Sequence, residues 1–393
     1  MSIKITVKAG AHDRRNAPLS VAIEGELAAG SYVLRGVEEE LPCQVVENGA
    51  QKEVVFVVPF IPAGAEAVYE IGEQREFENA LELRENKTSK RDPDCIDVFA
   101  HGKLFTTLHY GDAWTRPFMH PVVGPSGSNV TRTYPLVLDL PGETRDHHHQ
   151  KSFWTAWGDL SCNGVQHDDG WSEAWDGHGT IAVKTCRIVE NGPVRAKVVM
   201  EMDWLSKDGI KIMEEERTYT YYLLNDGEQA VDLKVVFLPT EGDVTFGDTK
   251  EGGICAIRVA SSMDATGKGT IENSYGAVGE DETWGKRAEW CDYYGPVKDG
   301  SIAGITIMDN PANFRFPTYW HVRNYGLMTA NPFGLSYFYN DKSKDGSYTI
   351  KAGEPFIFQY RVFIHAGSTK EATVGNRYHD YINPAKATAE IAE

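Results

Sequence analysis

Three segments of this chain carry residue types that do chemistry. The first is His109-Tyr-Gly-Asp-Ala-Trp114-Thr-Arg116-Pro-Phe-Met-His120-Pro. The second is Arg145-Asp146-His147-His148-His149-Gln150-Lys151-Ser-Phe-Trp154. The third is Asn313-Phe-Arg315-Phe-Pro-Thr-Tyr319-Trp320-His321-Val-Arg323-Asn324-Tyr325. In extended backbone His147 and His149 share a face and His148 points the other way. Two imidazoles so placed serve one substrate as acid and base near neutral pH, or ligate a divalent metal. Asp146 is placed to fix one ring through its Nδ1–H, and Arg145 and Lys151 add positive charge. Direct acid–base use is preferred to a metal, since only two or three ligands are local and no H-E-x-x-H spacing completes a shell.

The other two segments supply contacts. Arg116, beside Trp114, offers a planar fork of donors for a sugar or a carboxylate. His120 joins His147, His149 and Asp146 as a catalytic group, while His109, His321 and Asn324 hold substrate oxygens. Trp154 and Tyr319 form an apolar platform of the kind that stacks on sugar rings. Trp157, Trp171 and Trp175 are further platform residues, about half of the tryptophans being expected in the core. Glu214 and Glu216 share a face of a long strand at about 6–7 Å, between the retaining and inverting spacings of glycosidases. An exposed polar sheet face explains that pair better. Asp159, Asp168 and Asp169 are alternative loop acids. No phosphate-binding loop, dinucleotide fingerprint or G-x-S-x-G elbow is present.

The elements around these segments read as β. Ile3-Lys-Ile-Thr-Val alternates with period two, and Glu53-Val-Val-Phe-Val-Val suits a strand buried on both faces. Lys207-Asp-Gly and Asn225-Asp-Gly bound a long strand from Ile210 to Leu224 as hairpin turns. The polar run from Arg84 reads as a hairpin tip, and the apolar run from Phe356 as a late strand closing the sandwich. One helix is expected from Thr369 to Ile382, stopped by Pro384, with a loose tail after it. The fold class is all-β: a small N-terminal β-sandwich over 1–75, then a large antiparallel supersandwich over 76–393 that carries the site.

Eight of the twelve histidines fall between His101 and His178, in loop-rich sequence. Loops on a rigid β scaffold are where binding and catalysis concentrate. The chain has 39 Lys and Arg against 57 Asp and Glu, a net charge of −18. That excludes nucleic acid as a partner and disfavours anionic membranes. The N-terminus lacks the apolar core of a signal peptide, which points to the cytoplasm. Six scattered cysteines without zinc spacing read as reduced thiols. The partner expected is a small sugar or glycoside, and the oligomeric state is left open.

The chain resembles the bacterial PmoA-like family. The matching residues are Tyr134-Pro-Leu, Arg145 to Trp154, Asp309-Asn-Pro-Ala-Asn313, and Pro317 to Gly326, with Gly10-Ala-His-Asp-Arg-Arg-Asn-Ala-Pro at the start. The resemblance spans about residues 100 to 335. The family pattern near Asp146 is closer to D-H-P-H-H-R-x-L-W. Here His148 replaces its proline, Gln150 its last histidine and Lys151 its arginine, which weakens a three-ligand metal site. The resemblance implies a galactose-mutarotase-like wide sandwich and a companion of sugar oxidoreductases and carbohydrate-degrading enzymes; it implies no membrane oxygenase. The function expected is glycoside cleavage, by hydrolysis or by elimination from a 3-keto-glycoside, through histidine acid–base chemistry. The alternatives are a non-catalytic sugar-binding module and, behind it, a metal-dependent oxygenase.

Overall fold

The computed structural model describes residues 2–25, 27–49, 51–86, 94–167 and 178–392. Trp171, Trp175, Asp168 and Asp169 lie outside these residues. The architecture is all-β and antiparallel, as the sequence pattern requires.

The N-terminal sheet has seven strands, six of them from residues 2–74. Ile3, Ile5 and Val7 bury alternate side chains in a core of their own with Cys43, Phe56 and Tyr69. The seventh strand corrects an expectation. The tail after Pro384 is not loose: Lys386–Ala392 pairs antiparallel with Ser2–Lys8, from Ser2 opposite Ala392 to Lys8 opposite Lys386. Ala387 and Ala389 turn their small side chains to the core, which gives a weak hydrophobic signal in sequence. The preceding helix is shorter than expected, Val374–Ile382.

Two eight-stranded sheets pack face to face over the main core. Phe153 of the first meets Tyr219 of the second, ring centroids 5.9 Å apart. The long strand is Lys211–Leu223. Phe356–Ala366 does not close the sandwich. It lies between Gln229–Leu238 and Ile302–Asp309, in the middle of the second sheet, where both faces are covered and a continuous apolar run is needed. The hairpin from Glu82–Asn86 to Cys95–Ala100 is present, its tip outside the described residues. All six cysteines are free thiols, five of them buried. No helix among the described residues is long and apolar enough to cross a membrane.

The first large sheet positions the loaded segments. Its inner face gives Met119, Phe153, Ile257 and Met328 to the main core. Its outer face carries a continuous cross-strand row: His109, Phe118, Trp154, Ala256, Thr329 and His321. The loops from 110 to 152 lie over this outer face, and Trp114, Leu136 and Tyr325 pack onto Phe118, Trp154 and Ala256.

Candidate functional site

The histidine run is a tight turn rather than a strand: Gln150 N–H bonds His147 O at 3.0 Å, and His147 has φ +42°. The turn still gathers the rings. His147 and His149 have centroids 5.7 Å apart, and His148 and His149 5.8 Å. His147 Nδ1 stands 2.7 Å from Asp146 Oδ2. Its side chain is 42% exposed. The orienting role expected of Asp146 therefore has its geometry.

Two fully buried arginines hold the turn. Arg132 donates to Asp146 Oδ1 at 2.6 Å, to Asp146 O at 2.7 Å and to His147 O at 2.7 Å. Arg258 donates to the same Asp146 Oδ1 at 2.9 Å and to Gln150 Oε1 at 2.5 Å. Burial pushes the Asp146 carboxyl up, but the His147 hydrogen bond and the charges of Arg258 and Arg132 outweigh it and hold it well below the usual carboxylate range. Neither arginine belongs to the three loaded segments; Arg258 is marked in sequence only as a lone charge inside the apolar run Ile254-Cys-Ala-Ile-Arg-Val-Ala.

Tyr325 is the aromatic surface of the site. His147 stacks on its ring at 5.0 Å and 8°, with Arg258 over the ring at 4.7 Å and Arg323 at 5.6 Å. It sits in the turn that joins Trp320–Val322 to Leu327–Ala330, with Gly326 N–H bonded to Arg323 O at 3.0 Å. The second and third segments thus meet. His321 is buried, and its ring is pushed down to about 3 by burial first, then by the charges of Lys250, Arg323 and His147. Its Nδ1 has no hydrogen-bond partner among the described residues.

Other expected site residues are placed elsewhere. Trp154 and Trp157 are wholly buried and offer no platform; Trp154 lies under the loops and Trp157 faces Phe333 in the core. Tyr319 is buried against Phe338, with its hydroxyl 3.1 Å from that of Tyr339. His120 is buried and pushed down to about 3 by burial and by His109. Its strand lies four positions across the sheet from that of His321, about 19 Å at normal strand spacing. One sugar ring does not span that, so His120 and His109 stand apart from the His147 site. His109 Nε2 bonds the His120 carbonyl at 3.0 Å, a scaffold contact.

Arg116 is buried and donates to His149 O at 2.6 Å, so it shapes the turn. Asn324 donates its backbone N–H to Glu280 at 2.6 Å, and Glu280 also pairs with Arg323 at 2.8 Å. Lys151 is buried over Trp114, and Arg145 points outward to Asp139. Glu214 pairs with Lys211 and Lys184 on the outer sheet face, while Glu215 between them is buried against Arg217 and Trp204. Asp159 accepts from Gln166. No cluster of three metal-ligating side chains occurs among the described residues.

A model of the Family of unknown function (DUF6807) matches residues 95–379. This corrects the resemblance to the PmoA-like family, which the comparison does not find. A search of curated proteins finds no match. Among solved structures, a glycosyl hydrolase family 38 protein from Enterococcus faecalis aligns at 9% identity and TM-score 0.45, over 100% of this chain and 48% of that one. An alpha-mannosidase from Enterococcus faecalis V583 aligns at 9% identity and TM-score 0.43, over 100% and 46%. A GalM/aldose epimerase homologue from C. elegans aligns at 8% identity and TM-score 0.29, over 73% and 99%. The chain spans about half the length of the two Enterococcus proteins.

Proposed function

The chain belongs to the family of unknown function DUF6807, and we propose that it cleaves a glycoside by histidine acid–base chemistry. The reading rests on one observation. His147 is held through Nδ1 by an ionised Asp146, which is itself clasped by Arg132 and Arg258. A ring fixed this way presents Nε2 as a proton acceptor towards the exposed side.

Elimination from a keto-glycoside is favoured over hydrolysis. Glycosidases of the common kind need two carboxyl groups facing the bond. Around His147 Asp146 is tied to the two arginines, Glu280 to Arg323 and Glu251 to Lys250, while Glu143 is taken up by the backbone N–H groups of Thr133 and Tyr134. In the elimination His147 Nε2 takes the proton from the carbon next to the ketone. The electron pair of that C–H bond becomes a carbon–carbon double bond as the adjacent glycosidic C–O bond breaks. The aglycone leaves as an alcohol after taking a proton. In this reading the partly exposed Arg323 guanidinium, beside Tyr325, meets the developing enolate oxygen. The protein is incubated with matched native and 3-keto-glycosides and the products are identified. An unsaturated sugar from the keto-glycoside alone, lost in His147→Gln, supports the reading. Release from neither substrate, or release that His147→Gln leaves unchanged, sinks it. Binding without turnover would favour a non-catalytic sugar module.

A further inference from the structure

Behind the His147–Asp146 pair lies a carboxyl that this chemistry does not use. Asp264, just after the short helical turn Ser261–Met263, is 5% exposed. Its Oδ1 has no hydrogen-bond partner among the described residues, and neither has Nε of Arg258. Gly326 stands between the two. A Cβ there would lie 2.4 Å from Asp264 Oδ1 and 3.2 Å from Arg258 Nε. With φ +103°, in the region that favours glycine, the bare backbone keeps carboxyl and guanidinium close without joining them. Nη2, on the same edge of that guanidinium as Nε, holds Asp146 Oδ1 at 2.9 Å. Arg258 thus faces two carboxyl groups and is bonded to one.

We propose that Asp264 is a positioning residue for the His147–Asp146 pair: by losing or gaining its own proton it changes the charge that Arg258 presents to Asp146, and so the readiness of His147 to hold a proton. The charged and titratable groups that face Asp264 are Arg258, Asp146, Arg132, Glu143 and Tyr293. Tyr293 OH accepts the N–H of Ala265 at 2.8 Å, which pins the segment. Burial pushes the Asp264 carboxyl up to about 7; Arg258 and Arg132 oppose the rise, and Asp146 and Glu143 add to it. Protonated, Asp264 leaves Arg258 to Asp146 alone; ionised, it adds one more negative charge beside Asp146 and Glu143. The pair and the buried carboxyl then exchange protons as one system.

The proposal uses the acid–base reading only for what the pair does to a substrate, and its test contains no substrate. Protein labelled with 15N-histidine and 13C-aspartate is titrated between about pH 5 and 9 and followed by NMR. The Asp264 carboxyl should show an inflection near neutral pH that the His147 ring nitrogens echo. In Asp264→Asn that echo should vanish, and the remaining His147 inflection should move to lower pH by on the order of half a unit. A purely structural Asp264 would change the melting temperature and leave the His147 curve in place; identical curves in the two proteins overturn the proposal. Should Asp264→Asn not fold, the wild-type titration alone decides, because an Asp264 inflection without an echo at His147, or none at all, overturns it equally.

Discussion

Asp146 Oδ2 and His147 Nδ1 stand 2.7 Å apart on adjacent residues of one turn. The carboxylate that holds the imidazole is itself held at its other oxygen by two arginines whose side chains are wholly buried. The orientation of an exposed ring is thereby set from inside the sandwich.

Asp146→Asn keeps the shape of that contact and removes its charge. The ring loses its fixed tautomer, so kcat on a turned-over glycoside should fall by roughly 10² to 10⁴. His147→Gln should fall comparably, and the double variant little further, because groups that act as a unit are not additive. Steady-state kinetics on the three proteins is the check; fully additive losses would mean the two residues act separately.

Arg258→Met leaves Asp146 Oδ1 with Arg132 alone and takes the donor from Gln150 Oε1. Breaking a buried pair on one side costs about 3–5 kcal/mol. Asp146 is 39% exposed, so the loss should be at or below the lower end, about 2–3 kcal/mol. The urea midpoint measures it; a midpoint equal to wild type would show that the clasp contributes nothing to stability.

His321 and His120 are both pushed down to about 3 in the folded protein, chiefly by burial. In the unfolded chain histidine takes up its proton near pH 6.5, so between about 6.5 and 3 the unfolded state binds more protons. Stability should be full above that window and lost as pH falls through it. Melting temperatures from pH 7 to 4 should drop less steeply in His321→Gln than in wild type; parallel curves would remove His321 from the account.

Deleting residues 386–393 strips Ser2–Lys8 of seven paired residues and leaves it a bare edge. Amide exchange should quicken first in Ser2–Lys8 and Glu66–Gln74, its other neighbour, while the strands of the main core stay protected. Uniform exchange throughout would show that the N-terminal sheet does not depend on its last strand.

The sequence alone determined the class of fold and where chemistry gathers. Period-two burial is written residue by residue in Ile3 to Val7 and in Val194 to Trp204, because a half-buried strand must alternate. The pairing of Asp146 with His147 was legible too, since neighbours in sequence need no long-range fold to meet. Only the tertiary structure decided the rest. Whether Trp154 is platform or core depends on which loops cover the outer sheet face. Whether His120 and His321 share a site depends on strand order, which puts three strands between theirs. Arg132, Arg258 and Tyr325 come from three distant segments. They converge on one turn because a buried guanidinium needs an anion and carbonyl oxygens around it, and the Asp146–Gln150 turn supplies them.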